Sequence, residues 1–188
     1  HRLSDGSPFM AAALLRGLAE SGALVYESNT WRIQGEALAD VRSSGQAAAI
    51  LARRFTLLPD SVMRLLTVGA ILGREFDVDL ATTLAAVSDD EARLGIDEAR
   101  VRHMVWTLGQ GAKAVFVHDK LRETLLARLS DAEKARLHLN TALLIEAEYP
   151  DQVFEIAYHF DAGGYANRAL PYALRGGDEA RSRYALEL

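Results

Sequence analysis

VFVHDKLRETLLARLSDAEKARLH, residues Val115 to His138, is the stretch on which the fold turns. Val115, Phe116 and Val117 have strand character, a His-Asp pair follows, and the pattern then becomes helical. Asp119 stands where an N-cap belongs, and Leu121, Leu125 and Leu129 recur at four-residue spacing along one helix face. Ser130 and Glu133 make an S-x-x-E capping box that opens a second helix. A strand that delivers His118 to a helix start sets an imidazole beside unsatisfied backbone N–H groups, an arrangement suited to meeting a phosphate.

Working outward, the composition sets the class. The 188 residues are 49% apolar, enough for one large domain or two small ones with an ordinary core. Ala, Leu, Arg and Glu dominate while β-branched and aromatic residues are sparse, which predicts a mainly α fold. A formal net charge of −5 argues against broad nucleic-acid affinity, because a dedicated DNA binder carries a basic face. The absence of cysteine excludes disulfides and thiolate metal sites. No apolar run reaches membrane-span length and no signal peptide is visible, so a cytoplasmic location without membrane contact is expected. The chain starts at His1 and finishes in helical pattern at Leu188, as a segment cut from a longer protein would.

Upstream, Ser4 to Ser21 reads as a helix with Ser7 as N-cap and Pro8 at the first helical position. Leu24 to Ile33 reads as a hairpin in which Tyr26 and Trp31 pair across the strands. Gln34 to Gly45 is weakly patterned and reads as a linker, and Ala47 to Phe55 as a helix. Pro59 opens a helix over Asp60 to Leu72, closed by Gly73. Phe76 and Val78 lead into a short helix through Leu84, and Ser88 to Glu91 offers another capping box. Apolar spacing predicts a helix over Ile96 to Leu108, followed by an abbreviated wing before Val115. Three helices and then a short strand pair is the order of a winged helix. Downstream, helices are expected over Leu137–Tyr149, Gln152–Ala162 and Asn167–Arg175, punctuated by Gly163-Gly164 and Gly176-Gly177 as in a tetratricopeptide-like array, although no clean internal repeat is present.

Four ordered segments resemble signal-transducing NTPases of the STAND class, AAA-related switch ATPases of large bacterial regulators and kinases. Asp5-Gly6-Ser7-Pro8-Phe9 is similar to their T-D-G-N-P-F segment, and Leu72-Gly73-Arg74-Glu75-Phe76-Asp77 to V-L-G-R-E-F-D of their winged-helix domain. Phe116 to Glu123 resembles their F-x-H-D-x-[LIV]-R-E motif. Ala169-Leu170-Pro171-Tyr172 with Gly177-Asp178 resembles K-A-L-x-Y…A-G-D, where their helical repeats begin. The resemblance implies three regions: 1–42 as the end of the NTPase lid with its hairpin, 43–128 as the winged helix, and 129–188 as the start of a helical superhelix. It also implies that Pro8 packs near the adenine and that His118 approaches the β-phosphate of ADP. No G-x-x-x-x-G-K-[ST] loop occurs, nor an apolar strand ending in paired acids for magnesium. ATP or ADP would therefore be held mainly by an upstream NTPase core, and this chain would sense nucleotide without hydrolysing it. Its partners would be that core, within the same protein, and proteins or an inducer reached through the helical repeats.

Two other readings stay open. One is a winged-helix transcription regulator with Ile96 to Leu108 as recognition helix, presenting Arg100, Arg102 and His103 against Asp97 and Glu98. The other is a helical scaffold in which His118 has no ligand. His103, His138 and His159 fall on separate expected helices without ligand-type spacing, so a metal site is not expected.

Overall fold

The structure, a computed structural model, describes residues 57–184 without interruption, together with residues 8, 11, 12, 15, 18, 19, 24–27, 29–33 and 55. The described residues near the N-terminus carry the helical conformation at 8, 11, 12, 15, 18 and 19, followed by a hairpin of β1 (Leu24–Glu27) and β2 (Thr30–Ile33). Tyr26 faces Trp31 in register, with ring centroids 5.0 Å apart, and Asn29 turns the chain at φ 62°. The expected linker over Gln34 to Gly45, and all of the expected helix over Ala47 to Phe55 except its last residue, lie outside the described residues.

Six elements then build a common core. Helix α1 (Asp60–Leu72) follows Pro59 and buries Val62, Leu65, Leu66, Val68 and Ile71. Strand β3 (Glu75–Asp77) leads into α2 (Val78–Ala85), whose N-cap Asp77 accepts from Leu80 N–H at 3.0 Å. Helix α3 (Asp89–Val101) opens with a complete Ser88–Glu91 capping box. Strands β4 (Val105–Leu108) and β5 (Lys113–Phe116) close a three-stranded antiparallel sheet in the order β3-β5-β4. Helix–strand–helix–helix–strand–strand with the last strand central is the winged-helix arrangement, and the turn Gly109–Gly111 is its short wing. Phe55, Leu65, Leu66, Met104, Phe116, Leu121 and Leu125 are wholly buried at its centre. Gly69 lets α1 lie against β3, since a Cβ there would stand 2.7 Å from the Phe76 ring.

One expectation in this unit needs correction. The helix expected over Ile96 to Leu108 ends at Val101, and residues 105–108 are strand β4. His103 takes φ 53° and the chain reverses: His103 N–H reaches Arg100 O at 2.9 Å and Met104 N–H reaches Ala99 O at 2.8 Å. These two bonds are a Schellman closure, with histidine in the place glycine usually fills. Strand β3 escapes sequence reading because three residues carry almost no period-two signal.

After α4 (Asp119–Leu126), three helices follow: α5 (Asp131–Glu148), α6 (Val153–Ala162) and α7 (Ala166–Tyr184). The short connections 149–152 and 163–165 make sequential neighbours antiparallel, and α6 packs against both α5 and α7. Ser130 and Glu133 form the expected capping box, but they open one continuous α5 where a separate start near Leu137 was expected. Gly176-Gly177 was expected to break the last helix, yet α7 runs through it. At Gly176 the helix closes on α6: a Cβ there would lie 2.8 Å from Phe154, so the glycine serves packing. The fold is thus mainly α with small antiparallel sheets.

Candidate functional site

His118 ends the extended run after β5 with φ −150° and ψ 142°, and it is the N-cap of α4. Asp119, expected in that role, is the first helical residue. The His118 Nδ1 accepts from Lys120 N–H at 3.1 Å, satisfying one of the unpaired donors of the helix start. In this contact Nδ1 is the acceptor, so one nitrogen of the ring is already held by the backbone.

The segments 72–77 and 116–123 come together around this junction. Phe116 N–H donates to Arg74 O at 2.9 Å, and Arg74 Nε lies 3.6 Å from Asp119 Oδ1. Arg122 Nε donates to Ala70 O at 2.8 Å, tying α4 to the end of α1. Val117 N–H donates to Met104 O at 3.0 Å, holding the residue before His118 to the turn ahead of β4. Phe76 and Phe116 also meet, their rings tilted at 40° with centroids 5.4 Å apart. His118 is thus mounted on a rigid base of two strands and two helices. The Arg74–Asp119 pair is well exposed and stabilises little by itself. Pro8 is helical and exposed, among neighbours that lie outside the described residues, so it joins no described cluster with His118.

Helix α3 and its C-cap carry their cations already paired. Arg93 lies 3.6 Å from Asp90, Arg100 3.1 Å from Asp97 and Arg102 2.6 Å from Glu98. The helix expected to read DNA is nearly self-neutralised.

Sequence reasoning missed one polar pair. His138 on α5 and His159 on α6, 21 residues apart, are buried with their Nδ1 atoms 2.8 Å from each other. One neutral ring donates and the other accepts. Tyr158 meets both rings edge-on, with centroids 5.6 and 5.0 Å away. Burial lowers the His138 pKa and the Arg122 charge lowers it further. Burial takes His159 down to about 4, with repulsion from His138 as the smaller cause. No sequence signal marks such a pair, because the residues lie on separate helices and meet only after α5 and α6 pack. Among the described residues no group of three or more His, Cys, Asp or Glu side chains could hold a metal ion, and no helix is long and apolar enough to cross a membrane.

No protein-family model, curated protein or solved structure matches the chain. The resemblance to switch ATPases accordingly rests on the residues quoted for it.

Proposed function

We propose that the chain is the regulatory part of a nucleotide-switched signal-transduction ATPase, relaying the ATP or ADP state of an NTPase core to the helical region that begins at α5. One observation carries the reading. The two motif-bearing segments, Leu72–Asp77 and Phe116–Glu123, lie side by side through the Phe116–Arg74 hydrogen bond and the Arg74–Asp119 ion pair. Between them stands His118, its Nδ1 accepting from Lys120 N–H and its ring at a helix N-terminus, where backbone N–H groups favour an anion. In mechanism, ADP on the core is gripped by His118 and holds the winged helix docked. Exchange for ATP removes that grip and releases it, so nucleotide biases a two-state element. Pro8 contributes an adenine contact in the same docked state. The chain has no phosphate-binding loop and is expected to hydrolyse nothing alone.

The DNA-binding alternative draws less support, since the α3 cations are paired and the net charge is negative. The test uses the protein that carries both core and regulatory part. Replacing His118 with Ala removes a hydrogen bond to a charged group and should weaken ADP about ten- to hundredfold. ATP binding should change less, and the resting balance should move toward the active form. Parallel ADP and ATP titrations decide: equal losses for both nucleotides, or none, would leave His118 as a capping residue only.

A further inference from the structure

Between the winged-helix unit and the first helix of the array lies a cleft of about 490 Å³, within the size range of small-ligand sites. Its walls come from α1, α2 and α5 with the turn before α5. Met63, Val68, Leu84, Leu129 and Leu137 make them mostly aliphatic. Two arginines, Arg64 on α1 and Arg136 on α5, line the same space. Arg74, Arg93, Arg100, Arg102, Arg168, Arg175 and Arg181 each have a carboxylate within ion-pair distance. Arg64 and Arg136 have none among the described residues. Arg64 makes one long bond, from Nε to Ala85 O at 3.4 Å.

Two glutamates act on these arginines electrostatically. Glu91 feels Arg64 and Glu133 feels Arg136, but each is bound to its serine in a capping box, Ser88 or Ser130. Asp60, in the first turn of α1, is the one carboxylate lining the cleft, against two arginines. Aliphatic walls beside two cations, neither with a carboxylate within ion-pair distance among the described residues, favour a ligand with an apolar body and a negative head. A planar guanidinium also matches a carboxylate in geometry as well as charge.

We propose that this cleft binds a small amphiphilic carboxylate, its chain against Leu84, Leu129 and Leu137 and its head held by Arg64 and Arg136. Because Arg64 belongs to the winged-helix unit and Arg136 to the array, the occupant bridges the two and fastens their junction. The site is independent of any nucleotide contact at His118.

Octanoate is the probe, titrated calorimetrically into the 188-residue chain, with 1-octanol as the uncharged body and octylammonium as the charge reversal. Octanoate should bind saturably with one site per chain, and octanol at least about tenfold more weakly, since it lacks the charge-assisted bonds. The double variant R64Q/R136Q should lose about tenfold or more in octanoate affinity while binding octanol unchanged, which reports intact aliphatic walls. R64K/R136K should keep more of the affinity than the glutamine pair. Absence of saturable octanoate binding at millimolar concentration would overturn the proposal, as would octanol or octylammonium binding equally well, or indifference of octanoate to R64Q/R136Q.

Discussion

The winged-helix unit and the helical array solve the same problem, burying enough surface, by different means. In the first, a continuous apolar core runs from Phe55 and Leu58 through Phe116 to Leu125, and the buried hydroxyls of Thr82 and Thr124 turn back onto the carbonyls of Val78 and Lys120 in their own helices. In the second, the core shared by α5, α6 and α7 is small: Ala142, Ile145, Ile156, Phe160 and Ala169. Polar groups supplement it. Glu146 accepts from Arg168 at 2.6 Å and from Tyr172 Oη at 2.7 Å, and Arg168 lies over the Phe160 ring at 4.2 Å. Arg175 joins Asp151 and Glu179 at 3.0 Å each, and the buried His138–His159 pair stands between α5 and α6. A layer of helices that meets its neighbour along one stripe has little apolar area to bury, so charge and hydrogen bonds set its register. One region is held mainly by volume, the other partly by protonation state.

The strongest way to break that contrast is to remove core volume from each region. Phe116→Ala empties the centre of the three-stranded sheet, where Phe76 and the α1 leucines cannot close the gap, and should cost about 3–5 kcal/mol. Ile145→Ala, in the smaller cluster between helices that can shift along their axes, should cost nearer about 2 kcal/mol. Urea denaturation of both variants measures the difference. A larger loss for Ile145 would mean that the array is no less tightly packed than the winged helix.

Acid should separate the regions next. An unfolded histidine titrates near 6.5, whereas folded His159 does so at about 4. Between those values the unfolded chain takes up a proton that the folded chain refuses. Stability is therefore full above pH ~6.5 and falls as pH drops toward 4. For His159 alone the loss between about pH 7 and about pH 4.5 is on the order of 2–3 kcal/mol, and His138, lowered in the same direction, adds to it. Arg122, from α4, works in the same sense by opposing a second positive charge beside His138. Thermal melts at the two pH values should show a drop that His159→Gln largely removes. An undiminished drop in the variant would assign the acid sensitivity to other groups.

The same two regions explain what could be read from residue order. Both capping boxes, the helix Asp60–Leu72 and the facing of Tyr26 and Trp31 were legible because each depends on residues within about four positions of one another, or on a short turn. The end of α3 was not legible: Val101, Met104, Val105 and Leu108 keep helical spacing, and the chain reverses at His103, which has no glycine signature. The His118 junction was half legible. Strand, histidine and helix were in view, but His118 and Asp119 are adjacent and both can cap, so residue order alone did not say which keeps the extended backbone. The histidine pair and the Arg64–Arg136 cleft arise wholly from packing, and nothing local announces them.

The smallest effect tests the packing reason for the two glycines inside α7. Glycine in a helix interior costs roughly 0.5–1 kcal/mol relative to alanine, through the freedom its backbone has when unfolded. At Gly177 an added Cβ meets nothing within 4 Å, so Gly177→Ala should raise stability by about that amount. At Gly176 the new Cβ would stand 2.8 Å from Phe154 Cε1, and the ring must move before the helix gains anything. Phe154 is 54% exposed and can swing outward, but it then gives up its contact with α7. Gly176→Ala should therefore fall clearly below Gly177→Ala in melting temperature, and in a Phe154→Ala background the two should become equal. If Gly176→Ala matches Gly177→Ala with Phe154 in place, the α6–α7 contact is looser than the structure has it, and the array leans still more on its polar pairs.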